Sequence, residues 1–197
     1  FRGGDYNWEE PEGTRDGVID DNDRMVIGNA MPDVTGGLNT TVTWKNLSLY
    51  LGFYYSLGGQ IYNAAEHNRN MFKYTGTTPS PEVIHNMWLH PGDQAIYPRP
   101  YNDDYNNARM GNSFYLEDAS FIRLQNIRVA YDLPENWIKK LKLKNINIYA
   151  FVNNALTWTN YSGFDPEFST NNPLQVGKDS YRYPRKREYG IGFSANF

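Results

Sequence analysis

The sequence contains no cysteine, and that one absence removes thiol nucleophiles, thiolate metal sites and disulfides together. Histidine is scarce as well: the three present, His67, His85 and His90, stand in no HExxH-type spacing, so a zinc site has little to build on and solvated loop histidines are expected. No run of ~18 apolar residues occurs, and a mean hydropathy of −0.70 is too polar for a helical membrane span. Neither observation bears on a β-barrel, where only alternate residues of each strand meet lipid and long loops dilute the average. A net charge of −3 lacks the basic excess of a nucleic-acid binder. The chain opens on Phe1 rather than Met and carries no signal peptide. It reads as a piece of a longer protein, so missing targeting signals carry no weight.

What is abundant is aromatic residues, with 16 Tyr, 10 Phe and 5 Trp, and strict alternation. In REYGIGFSANF at 187–197 one parity is Tyr189, Ile191, Phe193, Ala195 and Phe197, and the other is Glu188, Gly190, Gly192, Ser194 and Asn196. That is a strand with one apolar face. In 36–57, Leu38, Val42 and Trp44 share a parity, and after Lys45 and Asn46 the set Leu47, Leu49, Leu51, Phe53, Tyr55 and Leu57 shares another. Two strands and a tight turn make a hairpin. SFIRLQNIRVAY at 120–131 runs in phase through Ile122 and Leu124, then slips to Ile127, Val129 and Tyr131, which predicts a β-bulge at Gln125 and Asn126. The fold class expected is all-β, with strands at about 34–44, 47–57, 116–131, 146–158 and 185–197.

Between these strands the connections alternate in length. The turn at Lys45 and the stretch 132–145, with a helical turn after Pro134, are short; segments 1–33, 58–114 and 159–184 are long. In 80–90 a short helix is expected, with Ser80 as cap and Pro81 in its first turn. Long loops on one side and short turns on the other is the arrangement of outer-membrane barrels, with the long loops outside. The expected strands are too few to close a barrel, whose smallest natural form has ~8, so the chain is expected to be part of a larger one.

Several segments invite a chemical reading. EGTRDGVIDDND at 12–23 lays out like a calcium loop, with Glu12, Asp16, the Val18 carbonyl, Asp20 and Asp23 as ligands around Gly17. The alternative is an acidic Asx-rich turn. Trp88, Tyr97, Tyr101 and Tyr105 in the long loop have the apolar bodies and polar tips that suit stacking on sugar rings or packing against a partner; they would equally hold a long loop together. Asp165 and Glu167 are read as fixing the loop into the last strand, since a glycosidase pair would need convergence that sequence does not show. RYPRKR at 182–187 and KKLKLK at 139–144 are solvated positive faces, the first placed at the outer rim beside lipopolysaccharide phosphates.

Five pieces stand in one order: DGVIDDNDRMVIGN (16–29), PDVTGGLN (32–39), SFIRLQNIRVAYDLP (120–134), NALTWTNYSGFDPE (154–167) and the terminal REYGIGFSANF. Together they resemble the C-terminal end of the SusC/RagA family of TonB-dependent outer-membrane transporters. The resemblance implies the last five strands of a 22-stranded transmembrane antiparallel barrel with long extracellular loops, residues 1–33 forming one of them. It implies active import of a nutrient, an oligosaccharide first and a peptide as the alternative, and no enzymatic activity. The partners implied are a SusD-like surface lipoprotein, the TonB complex through a missing N-terminal part, the remainder of the same barrel, the membrane lipid and a glycan or peptide ligand. Glu12 and Thr14 depart from the family's loop, which is richer in Asp and Asn there. The last strand resembles the signal read by barrel assembly machinery, at Gly192, Phe193 and Phe197, with Ala195 a departure. A soluble carbohydrate-binding β module and a passive porin are the competing classes. The first would leave aromatic parity sets bare in water.

Overall fold

The computed structural model describes residues 4, 6–13, 15–70, 78–99, 111–139, 143–167 and 176–196. They fall into two compact units, one of Ala30–Ile61, Asp118–Val176 and Arg182–Phe197, the other of Phe1–Asn29, Tyr62–Glu117 and Gly177–Tyr181.

The first unit is an antiparallel sheet. Its long strands are β1 (Val34–Trp44), β2 (Leu47–Leu57), β5 (Phe121–Asp132), β6 (Asn145–Thr159) and β8 (Glu188–Asn196), hydrogen-bonded in the order β1-β2-β5-β6-β8. Each strand neighbours the one before it, the simplest meander an alternating sequence can form. Lys45 takes a left-handed conformation (φ 54°) to close the first hairpin, and the Asn46 side-chain amide donates to the Asp132 carbonyl at 2.8 Å, joining the two turns at that end.

The expected bulge is present, and it grows across the sheet. Between the rungs that carry Gly52 and Phe53 there is one step on β2, two on β5 (Asn126 to Leu124) and three on β6 (Asn153 to Leu156). Two steps invert the parity of β5, which is the slip visible in its sequence; three steps preserve it on β6. One of the two extra β6 residues is Asn154, whose φ is 53°.

Two strand boundaries are corrected. The strand expected from residue 116 is divided: β4 (Leu116–Asp118) joins a second sheet, and β5 begins at Phe121. The break falls where the Asp118 carboxylate accepts the Ser120 N–H at 2.8 Å, a side chain competing with the ladder. The last strand begins at Glu188 rather than 185, because Pro184 has no N–H to give and the Arg185 N–H is taken by Asp165 at 2.9 Å.

Gly190 and Gly192 hold a specific place on β8. Phe151 and Tyr149 on β6 lie over them, so close that a Cβ would stand 2.4 Å from the Phe151 ring and 2.6 Å from that of Tyr149. Each ring covers backbone that a side chain would otherwise occupy. Gly192→Val is therefore expected to lower stability by about 1–3 kcal/mol as overpacking, and Tyr149→Ala in the same chain to restore part of it. Equal losses in the single and double variants, read by urea unfolding of the refolded protein, would show that the ring does not occupy this position.

The second unit holds β4, β3 (Gln60–Asn63) and β7 (Lys178–Asp179) in the order β4-β3-β7, with α1 (Ala64–Asn70) and α2 (Pro81–Asn86). The Ser80 hydroxyl caps α2 by accepting the Val83 N–H at 3.4 Å, as expected, although the helix ends at Asn86. β3 and α1 were not expected from sequence. Asn63 starts α1 by accepting the Glu66 N–H at 2.9 Å, and the Asn63-x-x-Glu66 spacing is the signal that marks it. α3 (Glu135–Ile138) follows Pro134 as expected.

Candidate functional site

Every large apolar residue of the five-stranded sheet that is substantially exposed points to the same face. Val34, Leu38, Val42, Trp44, Leu47 and Leu57 of the hairpin continue into Ile122, Val129 and Tyr131, then Ile148, Leu156 and Trp158, then Tyr189, Ile191 and Phe193. On the last strand Tyr189, Ile191 and Phe193 are 71%, 88% and 75% exposed. No helix among the described residues is long and apolar enough to cross a membrane; the continuous apolar surface is made by strands.

The rows of this face are ordered. Trp44, Leu47, Tyr131, Ile148 and Phe193 lie across the turn end, and Tyr55, Ile122 and Trp158 across the other. Between them run aliphatic rows such as Val42, Leu49, Val129, Ala150 and Ile191. From Leu47 to Tyr55 at about 3.3 Å per residue the band is roughly 26 Å along the strand. An aliphatic band with aromatic residues toward both ends is the surface of a strand wall in lipid.

The opposite face is polar. Across its middle runs a ladder of Asn39, Gly52, Asn126, Asn153 and Glu188. The Asn126 amide donates to Asn153 at 3.0 Å and that of Asn153 to Glu188 at 3.4 Å. Nearer the turns, Asn147 donates to the Asp132 carboxylate at 2.8 Å, and the Arg128 guanidinium lies 4.3 Å from the centre of the Tyr149 ring. Faces of opposite character, with every strand in phase, are what a wall between lipid and a wet interior requires.

At the end away from the turns, this polar face encloses an ion cluster around Arg123, which is 1% exposed. Arg123 donates through Nε to Thr157 at 3.0 Å; one Nη lies 2.5 Å from Asp165 and the other 2.8 Å from Glu167. Glu167 also pairs with Arg185 at 2.7 Å. The Phe121 ring lies 5.2 Å below the guanidinium. Asp165 and Glu167 therefore tie the Gly163–Glu167 turn to β5 and to the segment that enters β8. An arginine between the two carboxylates leaves them no room to act across a glycosidic bond.

In the other unit the rings pack on one another. Tyr6 meets Trp8 and Phe114 at centroid distances of 6.1 and 5.9 Å, Tyr97 meets Phe114 at 5.6 Å, and His67 meets Tyr115 at 4.8 Å. Trp88 lies against Gly4, where a Cβ would stand 2.4 Å from its ring. Both described members of the expected contact set, Trp88 and Tyr97, thus take part in the internal packing of this unit; Tyr101 and Tyr105 lie outside the described residues. The expectation of solvated histidines is corrected at His67, which is 7% exposed and bonded through Nδ1 to the Tyr62 hydroxyl at 2.8 Å. His85 and His90 are exposed.

Burial pushes the Tyr62 phenol up to about 12, and burial together with the Tyr6 hydroxyl, 3.2 Å away, raises Tyr115 further. A group whose folded pKa is raised holds its proton in the folded unit after the unfolded chain would release it. Stability contributed by the Tyr62 phenol is full below about pH 10 and lost as pH rises through 12, and that of Tyr115 is lost at higher pH still. Absorbance at 295 nm is expected to show late-ionising tyrosines that titrate together with increased protease cleavage in 62–117. A Tyr62→Phe variant with the same late count would refute the assignment.

Around Gly17 the carboxylates serve the backbone. Asp16 accepts the Val18 N–H at 2.8 Å, Asp20 that of Asn22 at 2.7 Å, and Asp23 that of Asp20 at 2.8 Å. The Gly17 N–H goes to Glu10 at 3.2 Å. Glu12 and Val18 are exposed, and Thr14 lies outside the described residues. Among the described residues no three carboxylates or imidazoles converge as a metal site needs. The donors present form an Asx turn and a capping box. Of the assembly-signal residues, Gly192 lies under Tyr149 and Phe193 stands on the apolar face; Phe197 lies outside the described residues.

No family model matches the chain. Over its whole length it is 35% identical to TonB-dependent receptor P39 of Formosa agariphila, of which it spans 19%. Over 92% of its length it is 26% identical to TonB-dependent receptor SusC of Bacteroides thetaiotaomicron, of which it spans 17%. Among solved structures it is similar to that of the RagAB peptide transporter, with a TM-score of 0.71 and 26% identity over 85% of this chain and 17% of that one. The chain thus spans about a fifth of the length of these relatives, and its antiparallel sheet matches the barrel of the solved transporter.

Proposed function

This chain is related along its whole length to the TonB-dependent receptors of the SusC/RagA kind, and from that premise we propose that it forms part of the wall of an outer-membrane barrel that imports a nutrient. The observation that carries the reading is the sheet's segregation of faces: large apolar side chains in phase on one side of five strands, amides and charges on the other. The apolar face meets lipid and the polar face a wet interior. In this reading the long connections lie outside the membrane, and the unit that holds Tyr62–Glu117 is packed by its own aromatic rings.

In this reading the energy for import reaches the barrel through TonB, and a SusD-like surface lipoprotein covers the outer mouth. The substrate is an oligosaccharide, with a peptide as the competing class; RagAB, to which the sheet is similar, is a peptide transporter, whereas the Asn39–Glu188 ladder offers the neutral amides that suit hydroxyl-rich ligands. Membrane lipid on one face and the remainder of the barrel at the free edges of β1 and β8 complete the partners. These residues supply no chemistry of their own.

The test uses the full-length gene product. Cells that carry it are expected to take up a labelled oligosaccharide and to stop when TonB is removed; uptake that continues without TonB would indicate a passive pore. Mass spectrometry of ligand copurified with the receptor and its lipoprotein decides between glycan and peptide, and recovery of a peptide alone would overturn the substrate assignment while leaving the importer intact.

A further inference from the structure

On the polar face of the sheet, Gly52 leaves a notch. A Cβ there would stand 3.1 Å from Asn39 Oδ1, 3.3 Å from the Tyr50 hydroxyl and 3.4 Å from Asn126 Oδ1, so oxygens from three strands meet over one glycine. The Asn126 amide nitrogen is spent on Asn153, which is what turns its oxygen toward the notch. Such a point suits a ligand hydroxyl, which donates to an amide oxygen and accepts from the phenol.

The next row toward the turns holds Thr41, Tyr50, Arg128, Phe151 and Gly190, about 7 Å along the strands. Here the Phe151 ring lies over Gly190 and the Tyr149 ring over Gly192. Their centroids are 6.4 Å apart and their planes 31° from each other, so the two rings make an aromatic floor on the sheet. Arg128 is exposed, and its guanidinium stands at the Tyr149 end of that floor, 4.3 Å from the ring centre. A guanidinium stacked on a ring keeps its in-plane N–H donors free for an oxyanion. Among the described residues no carboxylate of this face pairs with it: Glu188 is held by Asn153 and Lys186, and Asp132 by Asn147.

We propose that this patch is a subsite for an acidic oligosaccharide, with a sugar ring on Phe151, a hydroxyl in the Gly52 notch and a carboxylate or sulfate ester on the Arg128 guanidinium. The inference deepens the substrate reading above and rests on it. The combination selects the ligand. A neutral glycan would use the floor and the notch and leave the guanidinium without a counter-charge, and a small inorganic anion would use the guanidinium alone. An acidic sugar engages all three, with its C–H face on the ring, its hydroxyl on the amide oxygens and its acid on the fork of N–H donors.

The experiment uses the full-length receptor with its lipoprotein, presented to immobilised oligogalactans with and without sulfate esters and to oligogalacturonates with free or methyl-esterified carboxylates. Wild type is expected to retain an acidic member in preference to its neutral counterpart, and which acidic set it retains tells sulfate from carboxylate. Arg128→Gln, a change at an exposed position that the fold tolerates, is expected to lower that retention about tenfold and so to abolish the preference. Tyr50→Phe, which removes one oxygen from the notch without changing its volume, lowers retention of acidic and neutral members alike. A receptor that retains none of the acidic members, or an Arg128→Gln variant that retains them like wild type, overturns the proposal. If that variant binds like wild type but unfolds at lower temperature, the guanidinium serves a segment of the receptor itself. Retention of neutral members alone refutes the acidic subsite and leaves an oligosaccharide importer standing, whereas copurification of peptide with no glycan retained overturns the substrate reading and the subsite together.

Discussion

Arg123→Ala in the full-length receptor is expected to cost about 3–5 kcal/mol against local opening of the segment between Asp165 and Arg185. The size follows from burial. Arg123 is 1% exposed and the side chains of Asp165 and Glu167 are 11% and 22% exposed, so removing the guanidinium leaves two carboxylates, 42 and 44 residues away in sequence, facing each other in a nearly dry site with Arg185 paired to Glu167 alone. The Thr157 hydroxyl also loses its donor. Since the penalty comes from the stranded charges more than from the lost attraction, neutralising them restores stability: Arg123→Met with Asp165→Asn and Glu167→Gln is expected to recover most of the loss. Limited proteolysis at 160–187 and the temperature at which the folded band disappears on gels report the two states. If Arg123→Ala and the triple variant lose the same amount, the cluster is not held by charge, and shape alone fixes the turn.

The distribution of what sequence reveals follows from range. The hairpin Val34–Leu57 was legible because its signal is local, period two on both sides of a two-residue turn. Half of the growing bulge was legible for the same reason. One extra residue on β5 inverts its parity and leaves a visible slip at Gln125 and Asn126, whereas two extra residues on β6 restore parity and leave no trace. The sequence pattern placed Asp165 and Glu167 as the anchor of the last strand's approach, but their partner Arg123 was read only as a member of its strand, because nothing local distinguishes a buried arginine from a solvated one. The burial of His67 is hidden from sequence on the same ground: what buries it are Tyr62, five residues away, and Tyr115, brought in by the tertiary fold. The calcium-like spacing around Gly17 shows the converse, a local pattern that matches a ligand set in order while its carboxylates are spent on the neighbouring backbone.

The face assignment carries a prediction as large as that for Arg123. Ile191 lies in the aliphatic band, 88% exposed, while Ser194, three residues on, belongs to the polar parity opposite Asn147. If the exposed apolar face meets lipid, Ile191→Arg places a guanidinium in the hydrocarbon and is expected to cost about 2–4 kcal/mol near the midplane, less toward either interface. Ser194→Arg places the same group in water and is expected to stay within about 0.5 kcal/mol. Both changes lie on one strand beside Gly192 and Phe193, so any effect on recognition by assembly machinery is shared; refolding the full-length receptor into lipid vesicles without that machinery isolates the contribution of lipid. Urea midpoints of the inserted protein then separate the faces. Equal losses would mean that the apolar face is covered by protein rather than lipid, and a larger loss at Ser194 would mean that the wall is turned the other way.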